Sequence, residues 1–144
     1  MMIRPATLAD VNAIFDIAIC ETAMYPKLMP DKEKVRHGII QAVSSAKHFC
    51  WVSERDGDVV GALIGLSSDN LWAQRQNCIV VLWASYVVGG GIRLMKEFLK
   101  WVDSRRIIRV AGIVPDTDEI SSRALRLAEL LGFRKCGGAY LLYN

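Results

Sequence analysis

The stretch from Cys78 to Trp101, CIVVLWASYVVGGGIRLMKEFLKW, constrains this chain more than any other. Its front part, Cys78 to Trp83, is apolar at almost every position and rich in β-branched residues. A run that short predicts a strand covered on both faces. Gly89-Gly90-Gly91 follows, with no Cβ atoms to keep a backbone or a ligand at a distance. Behind it, Ile92, Met95, Leu99 and Val102 recur at helical spacing, with Leu94, Phe98 and Trp101 beside them.

A helix that opens directly after a glycine turn presents unpaired N–H groups and the positive end of its dipole. Such an end attracts anions, so strand, turn and helix form a candidate cradle for a phosphate or pyrophosphate. Taken alone, the triple glycine reads equally well as a flexible surface turn. It is not GxGxxG, and no Gly-Lys-Ser/Thr follows to make a P-loop. If the turn does hold phosphate, Gly90→Glu is expected to weaken binding and leave the fold largely intact.

The 144 residues suit one domain with a real core, residues 1–144. A hydrophobic share of 52% and a charged share of 23% are those of a globular chain. A net charge of +3, with no dense basic run, argues against a nucleic-acid partner. Arg105, Arg106 and Arg109 surround a predicted helix–strand junction and read as solvated surface and helix-end charge. Cys20, Cys50, Cys78 and Cys136 are widely spaced, without CxxC or Cys/His ligand spacing, so no metal site is expected. Reduced thiols, no apolar signal core at the start and no bilayer-length apolar run point to the cytoplasm and away from membranes.

Met2–Ala6 reads as a first strand. Thr7 and Asp10 read as the capped start of a helix running to about Cys20. Glu21 to Pro30 is a connection broken by two prolines, and reads either as a binding wall or as a loop folded on the core. Asp31 caps a second helix. His48–Arg55 and Val59–Leu66 read as a hairpin about Asp56-Gly57-Asp58. After the central stretch come a strand, Ile107–Val114, and a helix, Arg123–Leu131, closed by Gly132. Phe133 to Tyr143 reads as a final hairpin. Helices interleaved with strands and hairpins mean α+β, with a mixed sheet covered by helices.

Four pieces of this order resemble the GCN5-related N-acetyltransferase (GNAT) family. They are the start Ile3–Asp10, the hairpin Asp56–Gly61, the turn region Val81–Arg93 and the late helix Ser122–Phe133 with its Gly-Phe ending. The likeness spans essentially the whole chain, and the Gly-Phe ending is its most specific part. It implies a mixed, mostly antiparallel sheet flanked by helices, and transfer of an acetyl group from acetyl-CoA to an amine of a small molecule or protein. By the same resemblance, Trp83 and Ala84 offer backbone groups to pantetheine, and Val88, Gly89, Gly90, Gly91, Ile92 and Arg93 hold the pyrophosphate. Exposed final strands of such sheets often pair between chains, so a homodimer is among the implied partners.

The departures matter. The family's first Gln/Arg falls on Val88 and its last Gly/Ala on Arg93, whose side chain either crowds the pyrophosphate or pairs with it. The tyrosine that usually protonates the leaving thiolate is Ala128 here, and the asparagine before that helix is Ser121. Glu21 is the candidate base, at the end of the first helix. Tyr140 and Tyr143 are candidates for the missing acid, on opposite sides of one strand, so that at most one faces the cleft. His37 and His48 are lone histidines and read as structural. The alternative to an enzyme is a degenerate GNAT-like domain that binds CoA or a protein partner without turnover. A weaker alternative is a binder of another phosphate ligand.

Overall fold

The computed structural model describes residues 1–22, 30–69, 71, 74–106, 108–113 and 122–135. These form β1 (Met2–Pro5), a 3-10 turn (Leu8–Asp10), α1 (Val11–Thr22), α2 (Lys32–Ser44), β2 (Phe49–Arg55) and β3 (Asp58–Asp69). Then come β4 (Gln76–Ser85), α3 (Gly90–Ser104), β5 (Ile108–Ile113) and α4 (Ser122–Leu130). The fold is α+β. Backbone contacts divide the chain into two compact units, Met1–Val114 and Pro115–Asn144.

The first unit is one sheet in the order β1-β2-β3-β4-β5, antiparallel except for the parallel pair β4–β5. Asp56 and Gly57 both take positive φ, the turn that joins β2 to β3 with the twist of a hairpin. On one face Cys50, Val52, Ala62, Ile64, Leu82 and Ala84 pack under Val11, Ile14 and Ile17 of α1 and Ile39 and Ala42 of α2. The other face is aromatic. Phe49 meets Phe98 of α3 edge-on at 5.3 Å and lies 5.6 Å from Trp101. Both faces of the sheet are thus covered, as the unbroken apolar run of β4 requires.

The start of α1 is fixed by charge. The Asp10 carboxylate accepts the Thr7 amide at 2.7 Å and is gripped by the Arg4 guanidinium at 2.8 and 2.9 Å. Arg4 also donates to Glu54 across the β1–β2 pair at 2.7 Å.

Several strands and helices run further than their apolar patterns suggested. α1 continues to Thr22, β3 to Asp69, and β4 starts at Gln76. Ladder hydrogen bonds come from the backbone, so polar ends extend strands freely, and Gln76 donates across to Asp69 at 3.1 Å. Arg105 donates to the Ala46 carbonyl at 2.8 Å and stacks 5.0 Å from the centre of Trp101, more than a solvated surface role. Among the described residues no helix is long and apolar enough to cross a membrane.

In the second unit, α4 ends as its sequence predicts. Gly132 is left-handed at φ 97°, Phe133 N–H returns to the Ala128 carbonyl at 3.0 Å, and Gly132 N–H to Glu129 at 3.0 Å. That pair of bonds is the Schellman ending, and it explains why glycine closes this helix. Phe133 to Lys135 carry no strand; the remainder of the expected hairpin lies outside the described residues.

Candidate functional site

The site begins with an irregularity in β4. Ile64 of β3 faces Leu82, yet Gly65 faces Val80, so Val81 is an extra residue, a β-bulge. Before it, Cys78 and Val80 stand on the side of Ser67 and Gly65. After it, Leu82 and Ala84 stand on the side of Ile64 and Ala62, under α1 and α2. The pairing with β5 stops at the same place, its last pair being Val80 with Ile113. From Val81 to Ser85, β4 keeps its β3 partner but, among the described residues, has none on the other edge. Backbone groups alternate between the two edges of a strand, and the Tyr86–Val60 bond sets the register: those of Trp83 face the open edge, and those of Ala84 face β3.

This open edge leads straight into the glycine turn. Gly89 is the N-cap of α3 at φ 82°, a conformation that side chains oppose. Gly90 is buried, and a Cβ there would collide with the Ser85 hydroxyl. Gly90→Glu is therefore not the fold-sparing change expected from the sequence. Two side chains of β4 hold the turn in place. The Ser85 hydroxyl donates to the Val87 carbonyl at 2.8 Å, and the Trp83 indole donates to the Gly91 carbonyl at 2.9 Å. Sequence reasoning assigned Trp83 a role through its backbone only; its side chain latches the first turn of the helix.

The amides of Gly90 and Arg93 are engaged, by Val87 and Gly89. Those of Val88, Gly89, Gly91 and Ile92 have no acceptor among the described residues. No side chain caps α3 and its first turn carries no acidic residue, so the positive helix end is uncompensated. Val88 is 91% exposed at the lip of the turn. Ile92 is half-buried. Arg93 is exposed and donates to the Met1 carbonyl at 3.2 Å, and the Met1 side chain lies beside Gly90. Open strand edge, free amides and positive helix end are continuous, and together suit a ligand with amide groups along a chain and an anionic end.

On the α1 side of β4 a second group of side chains gathers. Glu21 lies in the last turn of α1, half-buried. Tyr86, directly after β4, has its amide fixed to the Val60 carbonyl at 2.9 Å, and its phenol lies near Cys20 and Glu21. Burial, then the neighbouring Cys20 and Glu21, push the phenol pKa up, so it stays protonated. Sequence reasoning missed Tyr86. Its only signal was position, two residues past Ala84 and so on the same side as α1.

Other candidates fall elsewhere. Tyr140, Tyr143 and Ser121 lie outside the described residues, as does most of the connection from Glu21 to Pro30. Ala128 is buried in α4. His48 accepts the Ser67 amide at 3.1 Å, a structural bond, and His37 is exposed on α2. Burial raises the Cys50 thiol to about 12, leaving it inert.

Neither a protein-family model nor a curated protein matches the chain by sequence. Solved structures do match by shape. A ribosomal-protein-alanine N-acetyltransferase from Brucella melitensis aligns with a TM-score of 0.70 at 23% identity, over 95% of this chain and 86% of that one. A predicted acetyltransferase from Clostridium acetobutylicum, solved with acetyl-CoA, aligns at 0.72 and 12% identity, over 98% and 94%. A transcriptional regulator from Bacillus halodurans C-125 aligns at 0.73 and 17% identity, over 99% of each chain. By its element order, its bulged and half-open fourth strand and these alignments, the chain has the fold of the GCN5-related N-acetyltransferases.

Proposed function

We propose that the chain is an acetyl-CoA-dependent N-acetyltransferase acting on an amine of a small molecule or a protein. One observation carries this reading: the open edge Val81–Ser85 runs without a break into the free amides of Gly89, Gly91 and Ile92. A pantetheine arm has amides that a strand edge can pair, and a diphosphate suits a bare helix start. The structure solved with acetyl-CoA, similar in fold, supports the choice of ligand.

In this reading the outward backbone groups of Trp83 receive the pantetheine arm, with Ala84 beside them in the strand, and Val88 to Arg93 hold the diphosphate. Arg93 exchanges the Met1 carbonyl for a phosphate oxygen, a stronger, charge-assisted bond. Alignment of amine and thioester provides much of the acceleration. Glu21 accepts the proton that the amine nitrogen loses as it bonds to the acetyl carbon. The thiolate released when the carbon–sulfur bond breaks takes up a proton, a role for which Tyr140 is the candidate by sequence alone. Ala128 favours a second reading, a domain that binds CoA or a protein partner without turnover, because that buried methyl has no proton to give.

Thermal-shift titration with CoA and acetyl-CoA, followed by assay of CoA release over an amine panel, separates the two. Stabilisation with release supports the enzyme, and stabilisation without release the binding domain. No stabilisation at millimolar ligand removes the coenzyme from both. Val88→Glu places a carboxylate at the lip of the turn without touching the core, and is expected to weaken CoA about tenfold or more. Unchanged affinity in that variant counts against the turn as the diphosphate site.

A further inference from the structure

We propose that His48 is an acid-sensitive latch, which joins the start of β2 to the end of β3 and opens when the imidazole takes a proton. The latch lies at the opposite end of the sheet from the glycine turn, and stands whatever ligand that turn takes. Its origin is an interrupted ladder. Successive backbone groups of a strand face opposite edges. Tyr86 binds the Val60 carbonyl, so Val60 faces β4, and Gly61, Leu63, Gly65 and Ser67 face β2. The register set by Phe49 and Gly65 would bring Ser67 opposite Lys47. The chain turns before that point, with the His48 N–H returned to the Ser45 carbonyl at 3.2 Å. The Ser67 N–H thus meets no ladder carbonyl, and His48 Nδ1 accepts it at 3.1 Å.

That bond fixes the state of the ring. To accept at Nδ1 the imidazole is neutral, with its hydrogen on Nε2, whereas an imidazolium donates from both nitrogens. A proton on Nδ1 therefore sets donor against donor, and Ser67 is buried, so the loss of its acceptor is costly. The surroundings oppose that proton. Burial, then the neighbouring Lys47, hold the imidazole below its ordinary 6.5. A second cation, Arg105, arrives from the end of α3 and donates to the Ala46 carbonyl at 2.8 Å. Arg75, before β4, is tied to the Arg106 carbonyl at 2.8 Å. After the exposed His37, α2 carries no charged side chain. Asp10, at the start of α1, is held by Arg4, and Asp69, two residues past Ser67, takes its bond from Gln76. A histidine held low on folding stabilises fully above its unfolded value, and loses that contribution as the pH falls through the folded one. The latch adjoins Phe49, whose ring meets Phe98 and Trp101, so its release begins at the edge of the aromatic layer.

The test is amide hydrogen exchange of the whole protein between about pH 5 and pH 8, read by NMR as protection factors, with the imidazoles titrated alongside. His48 and His37 are the only two histidines, and His37→Gln tells their resonances apart. Ser67 protection is expected to fall as His48 protonates, about tenfold for each pH unit below a midpoint that itself lies below 6.5. Leu63, in the middle of the same strand pair, is expected to keep its protection. His48→Asn offers an uncharged acceptor in place of Nδ1, and is expected to abolish the pH dependence at Ser67. Ser67 protection that does not change with pH, or that falls equally in His48→Asn, overturns the proposal. So does an equal fall at Leu63, which means unfolding of the whole sheet and not release of a latch.

Discussion

Asp10 has its carboxylate inside the fold, 5% exposed, and four hydrogen bonds keep it charged. The Arg4 guanidinium, with help from Thr7, holds its pKa at about 2, against an ordinary 3.8. A carboxyl depressed on folding stabilises fully above its unfolded value and loses that contribution as acid takes the pH down through the folded one. The contribution of Asp10 is therefore complete above about pH 4 and falls away towards about pH 2, and amounts to about 2 kcal/mol. Asp10→Asn is expected to lower stability by that amount at pH 7 and to flatten its fall between pH 4 and pH 2. Urea denaturation of both proteins across that range is the check. A parallel pair of curves means that some other group governs the acid limb.

The strand–turn–helix was readable in advance because its signals are local: an apolar run, three glycines and a helical stripe lie side by side in the chain. The Schellman end of α4 was readable for the same reason. The bulge at Val81 was not. Cys78, Val80, Leu82 and Ala84 alternate without a break in sequence, although the first two face α3 and the last two face α1. When every residue of a strand is apolar, a switch of face leaves no mark. Glu21 with Tyr86 and Trp83 with Gly91 are meetings that only the fold creates. The latch from Trp83 has a measurable effect on α3. Trp83→Phe keeps the ring but removes the indole donor to Gly91, a bond of about 1 kcal/mol. Faster hydrogen exchange is expected in the first turn of α3, with its later turns unchanged. Equal protection in both proteins means that the latch does not order the turn.

The first unit as a whole has a layered plan: two helices over an aliphatic sheet face, one helix over an aromatic face. Helices cover the faces of the stretch from Val81 to Ser85, but its outer edge is unpaired among the described residues. Such an edge is a template as well as a binding slot. Another chain's backbone can dock on it as readily as a cofactor arm can, and the 55% exposed Val81 makes that contact stickier. The molecule should therefore keep poorly when stored empty and well when its natural ligand is supplied. Light scattering from concentrated samples, with and without CoA, would show whether the groove that serves chemistry is also where precipitation starts.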